Sequence, residues 1–65
     1  KHFKLMYYTA ICFDRQGKAY KYRDILFSKI LEFQSKKFLH DKNIIYINYY
    51  DKKTKDFKFR NYLKC

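Results

Sequence analysis

The chain has no proline, no tryptophan and a single glycine among its 65 residues. With no Pro, and no Ser-rich or acidic block to interrupt the pattern, no internal linker is legible. Residues 1–65 therefore read as one small basic domain. One glycine, Gly17, also excludes a glycine-rich phosphate loop. The two cysteines, Cys12 and Cys65, stand near opposite ends, with no spacing that would assemble four zinc ligands. No metal and no cofactor is expected. In an oxidising compartment a Cys12–Cys65 disulfide would close a long loop and contribute about 2–4 kcal/mol; two reduced thiols fit the intracellular setting favoured here. No apolar run approaches the roughly 18 residues of a membrane span, and no segment reads as a signal peptide. Position 1 is not Met, so the chain reads as a processed product, an excised domain or part of a longer one.

Catalytic patterns are also scarce. Neither His2 nor His40 stands in an HExxH-like spacing. Of the carboxylates only Asp51 and Asp56 lie close together, flanking a lysine turn whose charge they balance. A metal-independent ribonuclease built from Tyr, His, Lys and Arg around a phosphorane needs no such motif, but nothing in the chain singles out its residues. The chain is expected not to be an enzyme.

What is abundant is positive charge and rings. Sixteen Lys and Arg against six Asp and Glu give a net charge of +10. It is spread along the chain, seven cations against three acids up to Phe33 and nine against three after it. Such density opposes compaction, and a polyanion relieves it by releasing condensed counterions. Coding bias in an AT-rich genome would enrich the same residue types, so a merely solvated surface is the plain alternative. Eight Tyr and seven Phe accompany the charge. Each ring can bury roughly 150–250 Å², while a domain this small hides only about 60% of its unfolded surface. The surplus rings must lie partly exposed.

Periodicity supplies the fold class. FKLMYYTAICF, residues 3–13, is rich in strand formers and runs into DRQGK, whose Gly17 suits the left-handed position of a hairpin turn. With Arg15, Gln16 and Gly17 as the loop, Cys12 faces Tyr20 and Ala10 faces Tyr22, while Lys21 and Arg23 share the other face with Ile11 and Thr9. Residues 25–39 change to helical spacing, with Leu26, Phe27, Ile30, Leu31, Phe33 and Phe38 turned inward and Asp24 as N-cap. In NIIYINYYDKKTKDFKFR, residues 43–60, a Lys52–Lys53–Thr54 loop pairs Asp51 with Lys55, Tyr49 with Phe57 and Ile47 with Phe59. A one-residue shift would oppose Asp51 to Asp56 and scatter the rings over both faces, which disfavours it. The expected fold is α+β, hairpin-helix-hairpin (ββαββ), an antiparallel sheet of about four strands with one helix packed on one face.

The uncovered face is then the candidate site. It gathers Tyr46, Asn48, Lys58, Arg60 and Tyr62 with Lys21 and Arg23. Rings that stack on unpaired bases beside cations that neutralise phosphates are what single-strand recognition requires. Lys52, Lys53 and Lys55 in the turn, and Lys36, Lys37 and Lys42 at the helix end, are the densest cationic clusters and would contact phosphates without reading bases. These residues point to nucleic acid, RNA rather than DNA, bound by a free protein or by a ribosome-like ribonucleoprotein subunit. A protein partner is the alternative: an acidic surface, or a strand added to NIIYINYY or used to form a homodimer, in a protein that is secreted if the disulfide forms.

Overall fold

The computed structural model describes residues 6–40 and 43–63. Along the chain they form β1 (Tyr7–Asp14), β2 (Ala19–Leu26), a 3-10 turn (Phe27–Lys29), α1 (Ile30–His40), β3 (Ile44–Asp51) and β4 (Phe57–Tyr62). The strands make one antiparallel sheet in the order β2-β1-β3-β4, and α1 packs on one face of it, the ββαββ arrangement that the periodicity implies. Among the described residues no helix is long and apolar enough to cross a membrane.

The first hairpin forms in the expected register, with Cys12 opposite Tyr20 and Ala10 opposite Tyr22. Gly17 takes φ +84°, a conformation that costs an L-residue its Cβ clearance and glycine nothing. Asp14 closes the turn from inside. Its Oδ1 accepts the N–H groups of Gln16 and Lys18, each at 2.9 Å, and its Oδ2 accepts the Tyr20 hydroxyl at 3.3 Å. These donors, the Lys18 amide foremost, favour the charged carboxylate and hold its pKa below the ordinary value despite burial.

The core lies between α1 and the central strands. Ala10 and Cys12 are small enough to let larger neighbours on both sides cover them: Ala10 lies between Tyr22 on β2 and Tyr49 on β3, Cys12 between Tyr20 and Ile47. Tyr49 is fully buried and stacks on Phe59, ring centres 4.8 Å apart. Its hydroxyl still needs a partner. Gln34 of α1 supplies one, its Oε1 accepting the Tyr49 hydroxyl at 3.0 Å and Asn61 Nδ2 at 2.7 Å. One amide oxygen thus ties the helix to β3 and β4. Burial pushes the Tyr49 pKa well upward, so the phenol remains a donor.

Four details depart from the sequence expectation. The helix begins later, because β2 continues to Leu26 and the Phe27 N–H donates to the Met6 carbonyl at 2.8 Å. Asp24 is no N-cap: it sits within β2 at φ 61°, where the ladder slips between Tyr8 and Ala10. The inward helix face is narrower than the spacing suggests, since Phe27 and Leu31 are 58% and 74% exposed. Finally, NIIYINYY is no edge; β3 pairs with β1 on one side and β4 on the other, leaving β2 and β4 as the edges.

The second hairpin also differs in register. Asp51 Oδ1 accepts the N–H groups of Lys53 and Thr54 at 2.7 and 3.0 Å, and the Asp51 carbonyl accepts the Lys55 N–H at 2.8 Å. This widens the loop to Lys52–Lys55 and brings the Asp51 N–H onto the Asp56 carbonyl at 2.9 Å. The disfavoured opposition of two aspartates is tolerated because the Asp51 carboxylate turns into the loop, where the Thr54 and Lys53 amides lower its pKa. Tyr50 then pairs with Phe57, the ladder slips at Lys58, and Tyr49 pairs with Phe59, Ile47 with Asn61. Phe57 thereby leaves its expected partner Tyr49, which is in the core, and stands half-exposed beside Tyr50.

Two measurements test this account. Gln34→Leu leaves the Tyr49 hydroxyl buried without an acceptor, so chemical denaturation should show a loss of about 1–3 kcal/mol, partly restored by Tyr49→Phe in the same chain. Asp14 and Asp51 both have depressed folded-state pKa values, so their stabilisation is complete above the ordinary carboxylate range and vanishes as pH falls through the folded values. The thermal midpoint should therefore fall steeply below about pH 4. Asp14→Asn should lower the neutral-pH midpoint and flatten that descent; a wild-type midpoint that stays level in acid would contradict the assignment.

Candidate nucleic-acid interface

The sheet face turned away from α1 is organised in three rows, each running across the strands. The first contains Ala19, Phe13, Tyr46 and Tyr62, the second Lys21, Ile11, Asn48 and Arg60, and the third Thr9, Tyr50 and Phe57 with Arg23 at its β2 end. Strand spacing makes each four-strand row roughly 14 Å wide.

In the first row the rings touch in sequence. Phe13 stacks on Tyr46 with centres 4.8 Å apart, and Tyr46 meets Tyr62 at 5.5 Å. Tyr62 is 59% exposed, which leaves much of its ring to solvent. Arg60 lies over this row, its guanidinium carbon 4.6 Å from the Tyr46 centroid and 5.8 Å from that of Tyr62. The guanidinium is held in place rather than free: Nε donates to Asn48 Oδ1 at 2.6 Å and a terminal nitrogen to the Tyr62 hydroxyl at 3.1 Å. The Tyr62 hydroxyl, as acceptor, raises the already high Arg60 pKa. Asn48 is buried beneath these groups and passes the chain on, Nδ2 donating to the Tyr50 hydroxyl at 3.3 Å. Tyr50 meets Phe57 edge-on at 5.7 Å, and Phe57 is 52% exposed.

Beside the third row the face deepens into a cavity of about 360 Å³, whose lining includes Lys21, Arg23, Lys52, Lys55 and Tyr50. Lys52 Nζ contacts Asp24 Oδ1 at 2.7 Å across this region.

The sequence-based site residues divide between the two sides of the sheet. Lys21, Arg23, Tyr46, Lys52, Lys55, Arg60 and Tyr62 share the open face or its cavity. Lys53 is exposed in the turn, and Lys58 is the extra residue of the β4 bulge, close enough to Asp51 to help lower its pKa. Lys36 and Lys37 belong to the helix layer and do not join them. Lys36 pairs with Glu32 at 3.6 Å, and Lys37 packs its ammonium 4.0 Å over the Tyr22 ring, a cation–π contact that serves packing. Lys42 lies outside the described residues.

Three rings escaped the sequence reading: Phe13, Tyr50 and Phe57. Alternation in β1 alone puts Phe13 with Ile11 and Thr9, but only the adjacency of β1 and β3 sets it against Tyr46. Among the described residues no group of His, Cys, Asp and Glu is arranged to hold a metal ion. No family model, no curated protein and no solved structure matches the chain.

Proposed function

We propose that this chain is a non-enzymatic nucleic-acid-binding protein that takes unpaired RNA, in preference to DNA, on its open sheet face. The observation that carries the reading is the contiguous row Phe13–Tyr46–Tyr62 with Arg60 fixed over it, on a face that the helix leaves uncovered, in a chain of net charge +10. Rings on adjacent strands of an open sheet stack two or three splayed bases, and each base stacked on an aromatic ring is worth about 1–3 kcal/mol. Duplex DNA is the poorer fit, because α1 is packed on the opposite face and, among the described residues, no other α-helix is available to enter a major groove. The lysines of the turn and of the helix layer add long-range attraction without base contact. The same surface would serve a free protein or a subunit of a ribonucleoprotein.

A protein partner has one observation in its favour. Phe27, Leu31 and Leu39 are exposed along the helix layer, away from the basic face. A partner held there would remain bound at high salt, unlike a polyanion.

Binding of unstructured RNA, single-stranded DNA and duplex DNA at two ionic strengths tests the proposal. Unstructured RNA should bind most tightly, with affinity falling steeply as salt rises. Tyr62→Ala should weaken it about 5- to 100-fold, the equivalent of losing one stacked base, and Arg60→Ala should act in the same direction. Lys36→Gln should cost little beyond its single charge. No binding at low salt, or equal losses from Lys36→Gln and Tyr62→Ala, would sink the sheet-face assignment.

A further inference from the structure

We infer that the cavity beside the third row is a phosphate site, and that it receives the terminal phosphate of the strand lying on the ring face. The second half of this rests on the function proposed above; the first does not. The cavity lies between the β2 bulge and the β3–β4 turn, floored by β1 and β3.

Its charge is the first argument. Four cations, Lys21, Arg23, Lys52 and Lys55, face two carboxylates, Asp24 and Asp51. Both acids are already engaged: Asp24 by Lys52 at 2.7 Å, and Asp51 by the N–H groups of its own turn. Lys21, Arg23 and Lys55 form no ion pair among the described residues. The excess of two positive charges matches a phosphate monoester, which carries about −1.5 to −2 near neutral pH, better than the single charge of an internal phosphodiester.

Shape is the second. The Lys52–Asp24 pair reaches from the turn to the β2 bulge across β1, so it spans the end of the sheet at which the cavity sits. A strand extending from the Tyr46 row over Arg60 would end there rather than pass through. Tyr50, on the cavity wall, offers a ring to the last base.

The backbone is the third. Asp24 and Lys55, the two non-glycine residues with positive φ among those described, at 61° and 68°, both line this cavity. A left-handed position in a turn is where glycine is cheapest. Lysine at 55 sacrifices that economy and puts a cationic residue in the cavity lining, and such backbone commonly marks a binding function.

The test compares one short unstructured oligoribonucleotide in three forms, 5′-phosphorylated, 3′-phosphorylated and with hydroxyls at both ends. One phosphorylated form should bind about tenfold more tightly than the hydroxyl form, as charge-assisted contacts to a further phosphate allow. Arg23→Gln and Lys55→Gly should each erase that difference, so that the three forms bind alike, beyond the general loss that removing one cation brings to all three strands equally. Lys55→Gly also relieves the left-handed backbone, so its thermal midpoint should hold or rise, which separates loss of the phosphate contact from loss of the fold. Equal affinity for all three forms overturns the terminal-phosphate site and leaves the ring face standing. Should no strand bind, a nucleoside 5′-monophosphate decides: saturable amide shifts at Arg23, Asp24 and Lys55 that the nucleoside alone does not produce would retain the cavity as a phosphate site while the ring face falls, and their absence would remove both.

Discussion

A single short helix can cover only one side of a sheet, and that geometric limit shapes everything else in this molecule. Four strands span roughly 14 Å between outer axes, against the 10–12 Å diameter of a helix with its side chains. One face is sealed where α1 packs against β3 and β2, with Tyr49, Ile47, Cys12 and Ala10 buried in the core. Among the described residues nothing covers the other face. Its rings must therefore shield one another, and they do so in rows: Phe13 on Tyr46, Tyr46 against Tyr62, Tyr50 against Phe57. Edge and stacked contacts of this kind contribute about 0.5–1.5 kcal/mol each beyond their buried area, enough to order the rings but not to remove them from solvent.

The same limit sorts the cations. On the helix side they have work within the fold: Lys37 lies over Tyr22, Lys36 and Lys29 reach Glu32. On the open side Arg60 is positioned by Asn48 and by the rings, which fixes its plane without neutralising its charge. A guanidinium so held loses less freedom when it meets a flat or anionic ligand, since two hydrogen bonds already orient it in the free protein. Lys21, Arg23 and Lys55, which form no ion pair among the described residues, extend that positive field along the cavity. The open face thus carries four cations, Lys21, Arg23, Lys55 and Arg60, that form no ion pair among the described residues.

The fold class was legible because local signals agreed. Alternation in YYTAICFD, Gly17 in the turn and three- and four-residue spacing after Ile25 all pointed to strand, hairpin and helix, and the first hairpin keeps the register that side-chain size implies. Most of the open face followed from parity, since period-two alternation survives a two-residue slip: Tyr46, Asn48, Arg60 and Tyr62 stay together although their partners change. What parity cannot supply is strand order. NIIYINYY looks like an edge as a sequence and is central in the sheet, because the identity of a strand's second neighbour is a tertiary matter. The Asp24 cap failed for a related reason. Its capping chemistry is real, but pairing with β1 carries β2 on to Leu26, and the tertiary ladder overrides the local preference.

The second hairpin shows how a turn can decide the character of a whole face. In an unbroken strand Phe57 and Phe59, two residues apart, would point the same way. The carboxylate of Asp51 gathers the loop amides, the loop becomes one residue longer, and the resulting parity error is corrected by a bulge at Lys58. Phe59 reaches the core beside Tyr49, and Phe57 is left on the open face beside Tyr50. A second bulge, opposite Thr9 on β2, stands at the same level of the sheet, because Thr9 pairs with Tyr50. Bulges increase local twist and re-aim side chains, and they recur beside functional sites. Two of them flank one row, on the two edge strands, beside the cavity. The depression at that end lies between these irregularities, beside Asp24, which takes positive φ in β2, and Asp51, whose carboxylate gathers the turn amides.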